Sequence, residues 1–165
     1  MHKKNDQFII ILHNVRSALN VGAIMRTADG CGVDHIYLTG FTAAPHDGVK
    51  AYMTQGEKRI AKTALGAENT VPWTHKSTID DVFAALKGDG YTIVALEQSD
   101  TSINYKEYNP TFPLALVLGN EPDGIDQQTL EQCGIIIDIP MRGSKESLNV
   151  AVAAGVAMYE ILTHK

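Results

Sequence analysis

The chain has 165 residues, 44% of them hydrophobic, which is enough for one domain with an apolar core. Its net charge of −5 and its pI of about 5.6 argue against a general nucleic-acid binder, which is usually basic. No apolar run approaches the roughly 20 residues that span a bilayer, and the apolar run near the N-terminus is too short for a signal peptide, so we expect a cytoplasmic protein without membrane contact.

The first part of the chain predicts two strands separated by a helix. FIIILH (Phe8–His13) is a continuous apolar run, which is typical of a strand buried on both faces. Apolar residues then recur at helical spacing between Asn20, a candidate N-cap, and a pair of glycines. HIYLTG (His35–Gly40) predicts the second strand. Residues 41–76 are predicted to be irregular, with one short helix near Gly56–Ala64.

The second part of the chain continues to alternate helices with apolar strands. TIDDVFAALKGDG predicts a helix capped by Thr78, and DQQTLEQCG predicts a short helix that ends at Gly134. Three apolar runs predict strands: YTIVALE (Tyr91–Glu97), LALVLG (Leu114–Gly119) and IIIDIP (Ile135–Pro140). This alternation predicts an α/β fold with a mostly parallel sheet and helices on both faces. No repeat or linker interrupts it, so we expect a single domain over residues 1–165.

The last predicted helix lacks the polar face expected of a terminal surface helix. From Leu148 to Ala157 every residue except Asn149 and Gly155 is Leu, Val or Ala. Ser147 and Asn149 stand at its first turn, directly after a loop that contains basic residues. The composition of this helix raises the question of which surface covers it.

Charged residues and cysteines add two further expectations. Acidic residues dominate from Asp80 to Glu131, whereas basic residues cluster at Lys50–Lys62 and again shortly before the last helix. This distribution is consistent with a locally basic face on an acidic protein, and equally with scattered solvated charge. Cys31 and Cys133 fit no ligand spacing, so we interpret them as buried thiols in a reducing compartment and predict no metal site.

Three strand-to-helix loops carry the polar residues that could perform chemistry. Ligands of open α/β sheets bind beyond the carboxyl ends of the strands, and these loops follow three predicted strands. Their sequences are HNVRSALNVGAIMRTA, LGNEPDGI and IPMRGSKESLN, and together they contain three of the four arginines. Each polar residue also has a structural interpretation. Asn20, Ser147 and Asn149 could be helix caps. Arg26 could be a surface residue and Glu121 a solvated acid. Gly119 and Gly124 could be present only because the backbone adopts a positive φ there.

The three segments resemble, in order, the three sequence motifs of the SpoU (TrmH-like) branch of the SPOUT RNA methyltransferases. The matching segments are NVRSALNVGAIMRTADGCGVDHIYLTG, LALVLGNEPDGI and IDIPMRGSKESLNVAVAAGVAMYEIL, so the resemblance covers nearly the whole chain. It implies a C-terminal segment tucked through a loop into a trefoil knot. It also implies a homodimer with the active site at the interface, in which the second subunit covers the apolar last helix.

The resemblance also implies the residues of the site. S-adenosylmethionine would bind in the knot, and five residues match the cofactor-contacting positions of the family: Leu118, Gly119, Ile139, Met141 and Leu148. Another five match its polar active-site positions: Arg26, Asn20, Glu121, Ser147 and Asn149.

The implied reaction is ribose 2′-O-methylation of tRNA or rRNA. The alternatives are base-nitrogen methylation, as in more distant SPOUT branches, and a catalytically silent, cofactor-loaded module that docks RNA or protein. The counterpart of Arg26 is proposed as the general base in the family, and a cationic clamp on the phosphate and the forming alkoxide is the other interpretation. The acidic pI, with no RNA-binding extension in this sequence, favours an accessory protein partner or a small tRNA target.

Overall fold

A seven-stranded, entirely parallel sheet forms the centre of the chain. The structure is a computed structural model that describes residues 6–165, so the first five residues of the predicted domain lie outside it. The strands are β1 (Phe8–His13), β2 (His35–Thr39), β3 (Trp73–Lys76), β4 (Thr92–Leu96), β5 (Ile103–Asn104), β6 (Leu114–Leu118) and β7 (Ile135–Asp138). Their order across the sheet is β3-β2-β1-β6-β4-β7-β5. The prediction of an α/β fold with a mostly parallel sheet is confirmed.

The two central strands are fully buried because helices cover both faces of the sheet. Every residue of β1 and β6 is buried, as their continuous apolar runs predict. The helices are α1 (Ala18–Cys31), α2 (Gln55–Ala64), α3 (Ile79–Gly88), α4 (Gln127–Gln132) and α5 (Val150–Leu162). One core cluster joins the sheet to α1, α2 and α5 and contains Phe8, Ile10 and Leu12. The other cluster joins the opposite face to α3 and contains Ile9 and Ile11.

Two edge strands and one helix start differ from the sequence-based predictions. β3 falls inside the segment predicted to be irregular, and β5 has only two residues. Both lie at edges of the sheet, where half-exposed strands lack the apolar run that marks a central strand. Helix α1 is capped by Ser17, whose side chain accepts a hydrogen bond from the backbone N–H of Asn20 at 3.3 Å. The interpretation of Asn20 as the N-cap is therefore wrong, and its side chain is free for another role.

Helix α5 buries one face and exposes the other within a single chain. Ala154, Ala157, Met158 and Ile161 are buried in the core that also holds α1. On the outer side, Val152 is 53% exposed and Tyr159 is 57% exposed, although both are large and apolar or aromatic. The chain's own sheet therefore covers only half of this apolar helix. Within residues 6–165, no helix is both long enough and apolar enough to cross a membrane.

Candidate active site

A cavity of about 360 Å³ opens at the carboxyl ends of β4, β6 and β7. Its volume lies within the range typical of small-molecule sites. Three chain segments form its walls: the end of β4 at Leu96–Gln98, the loop after β6 at Leu118–Gly124, and the segment from Asp138 to Ala153 that connects β7 to α5. Because the strands are parallel and adjacent, loops far apart in sequence meet at this edge of the sheet.

The predicted cofactor residues all lie on the wall of this cavity. They are Leu118, Gly119, Ile139, Met141 and Leu148. Glu121 and Ser147, predicted as polar active-site residues, line the same cavity. Leucine and isoleucine side chains can enclose a flat aromatic base, while neighbouring carboxylates and backbone groups can bind polar substituents. The cavity can therefore accept a ligand that combines an aromatic ring with a charged or hydroxylated part.

The loop after β6 is a tight turn that requires its glycines. Asn120 and Gly124 exchange two backbone hydrogen bonds of 3.1 and 2.8 Å, and Gly124 has a φ of 68°. A Cβ atom on Gly119 would lie 2.5 Å from Cγ1 of Ile125 and 2.7 Å from the carbonyl carbon of Gly124. Glycine is thus required at 119 by the packing of the loop on itself, before any ligand is considered.

Glu97 ties this loop to the end of β4, a role that the sequence analysis missed. One carboxylate oxygen accepts a hydrogen bond from the N–H of Ile125, and the other accepts one from the N–H of Gln98, both at 2.9 Å. The side chain of Gln98 in turn donates to the carbonyl of Glu146 at 2.6 Å. The end of β4 therefore holds both loops that form the cavity. The available sequence signal was an acid at the carboxyl end of a buried strand.

Glu121 connects the loop after β6 to the start of α1. Its carboxylate accepts hydrogen bonds from the backbone N–H of Arg16 (2.9 Å), the backbone N–H of Ser17 (3.1 Å) and Nδ2 of Asn20 (2.9 Å). Partial burial by itself would raise the pKa of Glu121. The hydrogen bonds donated by Arg16, Asn20 and Ser17 outweigh burial and lower the pKa below its ordinary value. Glu121 is therefore an ionised, structurally engaged carboxylate and not a freely solvated acid.

Asn149 extends this network to the third loop. Its Nδ2 donates to Oδ1 of Asn20 at 3.2 Å, while its own Oδ1 accepts from the N–H groups of Ala151 and Val152 as the N-cap of α5. The capping and active-site interpretations of Asn149 are thus compatible. Three predicted site residues, Asn20, Glu121 and Asn149, form one hydrogen-bonded row beside the cavity.

Arg26 does not join this row within one chain. Arg26 lies six positions after Asn20, and a rise of 1.5 Å per residue places it about 9 Å further along α1, on a different side of the helix. Its side chain is exposed and lines a shallow cleft with Lys62, Thr63 and Tyr159. The structure therefore brings together four of the five predicted polar residues, with Ser147 on the cavity wall and Arg26 apart.

These observations define an α/β protein with a cofactor-sized cavity at the carboxyl ends of its central strands and a polar row at one side. Comparison with known proteins gives the family. The sequence model of the SpoU rRNA Methylase family matches residues 7–159. The chain therefore belongs to the SpoU rRNA Methylase family.

Individual relatives agree with this assignment. The chain is 33% identical over 153 residues to a TrmH-family relative from Staphylococcus saprophyticus, and the match covers 93% of this chain and 57% of the relative. It is 32% identical over 158 residues to the tRNA (guanosine(18)-2′-O)-methyltransferase of Escherichia coli K12, covering 96% of this chain and 64% of that enzyme. The chain thus spans less than two thirds of the length of either relative.

The fold is also similar to that of a solved structure. The AdoMet-bound rRNA methyltransferase from Sinorhizobium meliloti superposes with a TM-score of 0.85 at 25% sequence identity. The superposition covers 99% of this chain and 59% of that one.

Proposed function

We propose that this protein is an S-adenosylmethionine-dependent RNA methyltransferase that methylates a ribose 2′-hydroxyl of tRNA or rRNA, with tRNA favoured. The observation that carries the proposal is the cavity at the carboxyl ends of β4, β6 and β7, where the predicted cofactor residues and the polar row meet. The name of the Escherichia coli relative describes the same reaction on tRNA, and the Sinorhizobium meliloti relative is an rRNA methyltransferase with AdoMet bound. Because such substrates are cytoplasmic, we place the protein there.

The cavity fits this cofactor by size and by the chemistry of its walls. Leu118, Ile139 and Leu148 would enclose the adenine ring, and the backbone of the loop at Gly119 would contact its polar edge. When bound, S-adenosylmethionine supplies a methyl group on a positively charged sulfur. The acceptor oxygen must then be held in line with that methyl group, and positioning of this kind is a large part of catalysis.

The polar row would orient the ribose of the substrate. The ionised carboxylate of Glu121 accepts a hydrogen bond from Nδ2 of Asn20, and Oδ1 of Asn20 accepts one from Nδ2 of Asn149. The Asn20 amide therefore has one defined orientation. Ser147, on the cavity wall, can donate to or accept from the nucleotide. Arg26 would act as a cationic clamp on the adjacent phosphate and on the developing alkoxide. A guanidinium holds its donors in a rigid, planar fork that matches phosphate oxygens, which supports a clamp over a general base.

We propose that the protein is a homodimer and that Arg26 reaches the cavity of the partner subunit. On α5, three exposed side chains recur with helical spacing and form one stripe: Val152, Val156 and Tyr159. Tyr159 also lines the cleft that holds Arg26. A two-fold dimer that buries this stripe would carry Arg26 of each subunit towards the other. This arrangement supports an active site built from both chains.

We further propose that residues 1–165 form one SpoU-type domain with a C-terminal trefoil knot. β7 lies on the far side of β4 from β6, whereas α5 packs against α1, which follows β1. The segment between Asp138 and Val150 must therefore cross the carboxyl ends of β4 and β6, where the loop after β6 also lies. Such a crossing is the arrangement that a knot requires.

The decisive experiment is methyl transfer with labelled S-adenosylmethionine to total tRNA and to ribosomal RNA from a strain that lacks the protein. The proposal expects incorporation into one of these pools at a ribose 2′-oxygen. The phosphodiester bond next to the methylated ribose should then resist alkaline cleavage. Label on a base nitrogen would show that the protein methylates a base and not the ribose. Tight cofactor and RNA binding without transfer, also in the presence of cell extract as a source of accessory protein, would identify a silent module instead.

A further inference from the structure

The connection between β2 and α2 forms a closed loop with two exposed aromatic rings. Phe41, two residues after β2, is 60% exposed, and Tyr52, two residues before the N-cap of α2, is 72% exposed. The backbone N–H of Phe41 donates to Oδ1 of Asn14 at 3.2 Å, which fixes the start of the loop. A Cβ on Gly56 would lie 3.9 Å from Cβ of Ala43, so the two ends of the loop are packed together. Both rings are therefore exposed on one loop whose two ends are held in place.

Three basic residues lie in this loop or in the helix that follows it. Lys50 lies in the loop, and Lys58 and Arg59 are in α2; all three are exposed, and none forms an ion pair within the part of the chain that the structure describes. The nearby acids are engaged within the loop itself. Asp47 accepts from the N–H of Val49 at 2.9 Å, and Glu57 accepts from the N–H of Thr54 at 2.6 Å. Residues 41–59 thus carry three basic and two acidic side chains, and Lys50 interacts electrostatically with Glu57, on a protein whose net charge is −5.

The loop lies beside the methyl-transfer site. β2 and β6 are the two neighbours of β1, so their carboxyl ends are separated by two strand spacings, about 10 Å. Phe41 follows β2, and Glu121 follows β6. The segment Asn14–Ser17 connects them, because Asn14 holds the N–H of Phe41 while Arg16 and Ser17 donate to Glu121. Nucleotides next to the methylated one would therefore come within reach of the loop.

We propose that this loop is a binding surface for single-stranded RNA, in which Phe41 and Tyr52 stack on unpaired bases and Lys50, Lys58 and Arg59 contact phosphates. Exposed aromatic rings with adjacent cations are the combination by which proteins bind unpaired nucleotides. The proposal rests on the proposed function and specifies its substrate: the methylated ribose lies in a loop or other unpaired segment and not in a duplex.

The test is equilibrium binding of the full chain to a fluorescein-labelled RNA hairpin with an unpaired loop, compared with a fully paired RNA of the same stem. Phe41→Ala and Tyr52→Ala should each weaken hairpin binding by about fivefold or more, since base stacking on an aromatic ring has roughly that effect. Their binding to the paired RNA should be unchanged. Phe41→Leu should be as weak as Phe41→Ala, and Phe41→Trp should bind like the wild type. Ile103→Ala, at an exposed site on the far edge strand β5, is the matched control and should bind like the wild type.

Cofactor binding by calorimetry and thermal melting of each variant separate this proposal from the proposed function. If wild type binds S-adenosylmethionine and transfers its methyl group to RNA, but Phe41→Ala and Tyr52→Ala bind the hairpin like the wild type, the stacking surface is wrong and the proposed function stands. Equal losses on hairpin and paired RNA, or rescue by Phe41→Leu, also overturn it. A loss of dimer mass in these variants with unchanged RNA affinity would assign the loop to a protein contact. If wild type binds neither cofactor nor RNA, both proposals fail.

Discussion

Nδ2 of Asn20 donates a hydrogen bond of 2.9 Å to Oε1 of Glu121, across 101 residues of sequence. The contact joins the first turn of α1 to the loop after β6, and therefore couples this helix to a wall of the cavity. Glu121 also accepts from two backbone N–H groups that precede or start α1. The position of the Asn20 side chain and the negative charge at this point of the site thus both depend on the Glu121 carboxylate.

The Glu121 carboxylate should make stability dependent on pH. Glu121→Gln should reduce the free energy of unfolding by about 1–2 kcal/mol at neutral pH, because charge-assisted hydrogen bonds are lost at a partly exposed site. Hydrogen bonding lowers the folded-state pKa of Glu121, so its stabilisation is fully present above the unfolded-state pKa and disappears as the pH falls through the lower, folded-state value. Denaturant titrations across acidic pH check this. Glu107→Gln, at an exposed site, is the control and should have the stability of the wild type at neutral pH. A difference between wild type and Glu121→Gln that stays constant with pH would contradict the prediction.

Asn20→Asp should be more damaging than Asn20→Ala at neutral pH. The substituted carboxylate would face Oε1 of Glu121 at about hydrogen-bond distance, and two like charges cannot both remain ionised there without cost. We expect a loss of about 1–3 kcal/mol in stability that recovers as the pair takes up a proton at mildly acidic pH. Thermal melting of both variants between neutral and acidic pH measures this. Identical pH profiles for the two variants would show that Asn20 and Glu121 do not interact in solution.

Gly119→Ala should destabilise the loop after β6 and weaken cofactor binding. The added methyl group would overlap Ile125 and Gly124, and such overpacking costs typically about 1–3 kcal/mol. Gly143→Ala is the matched control, because its Cβ would meet nothing within 4 Å in the other cavity loop. Calorimetry with S-adenosylmethionine and thermal melting check both. Unchanged affinity in Gly119→Ala would remove this loop from the cofactor site.

The exposed stripe on α5 should hold two subunits together. Light scattering of the wild type should give about twice the 17.9 kDa chain mass. Val152→Asp should give a folded monomer, because a charge in a buried apolar interface is costly while this residue is 53% exposed in one chain. Val49→Asp, in the loop between β2 and α2 and 84% exposed, should leave the dimer intact. A monomeric wild type would refute both the dimer and the shared active site.

Mixing two inactive variants should restore methyl transfer if the active site is shared. In a mixed dimer of Arg26→Ala and Gly119→Ala, one site would combine an intact cavity from one chain with an intact Arg26 from the other. Homodimers of either variant should be inactive, and the mixture, after exchange of subunits, should recover part of the wild-type rate. Single-turnover methyl transfer measures the recovery. Absence of recovery despite mixed dimers would place Arg26 and the cavity of one chain in the same site.

The local composition of the sequence determined the central fold and most of the cavity wall. Continuous apolar runs such as Phe8–His13 and Leu114–Leu118 occur where a strand is buried on both faces, so they predict central parallel strands directly. Because helices follow these strands, the strand-to-helix loops lie at the carboxyl ends of the strands. Ligands of open α/β sheets bind at those ends, so the position of the cavity could be predicted. The resemblance to SpoU motifs then identified the residues that line the cavity.

Tertiary structure decided the roles that depend on distant partners. Asn20 satisfies the local pattern of an N-cap, yet Ser17 caps the helix and Asn20 bonds to residues 101 and 129 positions away. The local signal of Glu97 is only an acid at the end of a buried strand, and its function, to hold a loop that folds against it from β6, does not follow from that signal. The spacing of apolar residues in the sequence predicts which residues are buried, because one face of a helix or strand packs against the core. Which side chains meet depends on the order of the strands in the sheet, and that order is fixed only when the whole chain packs.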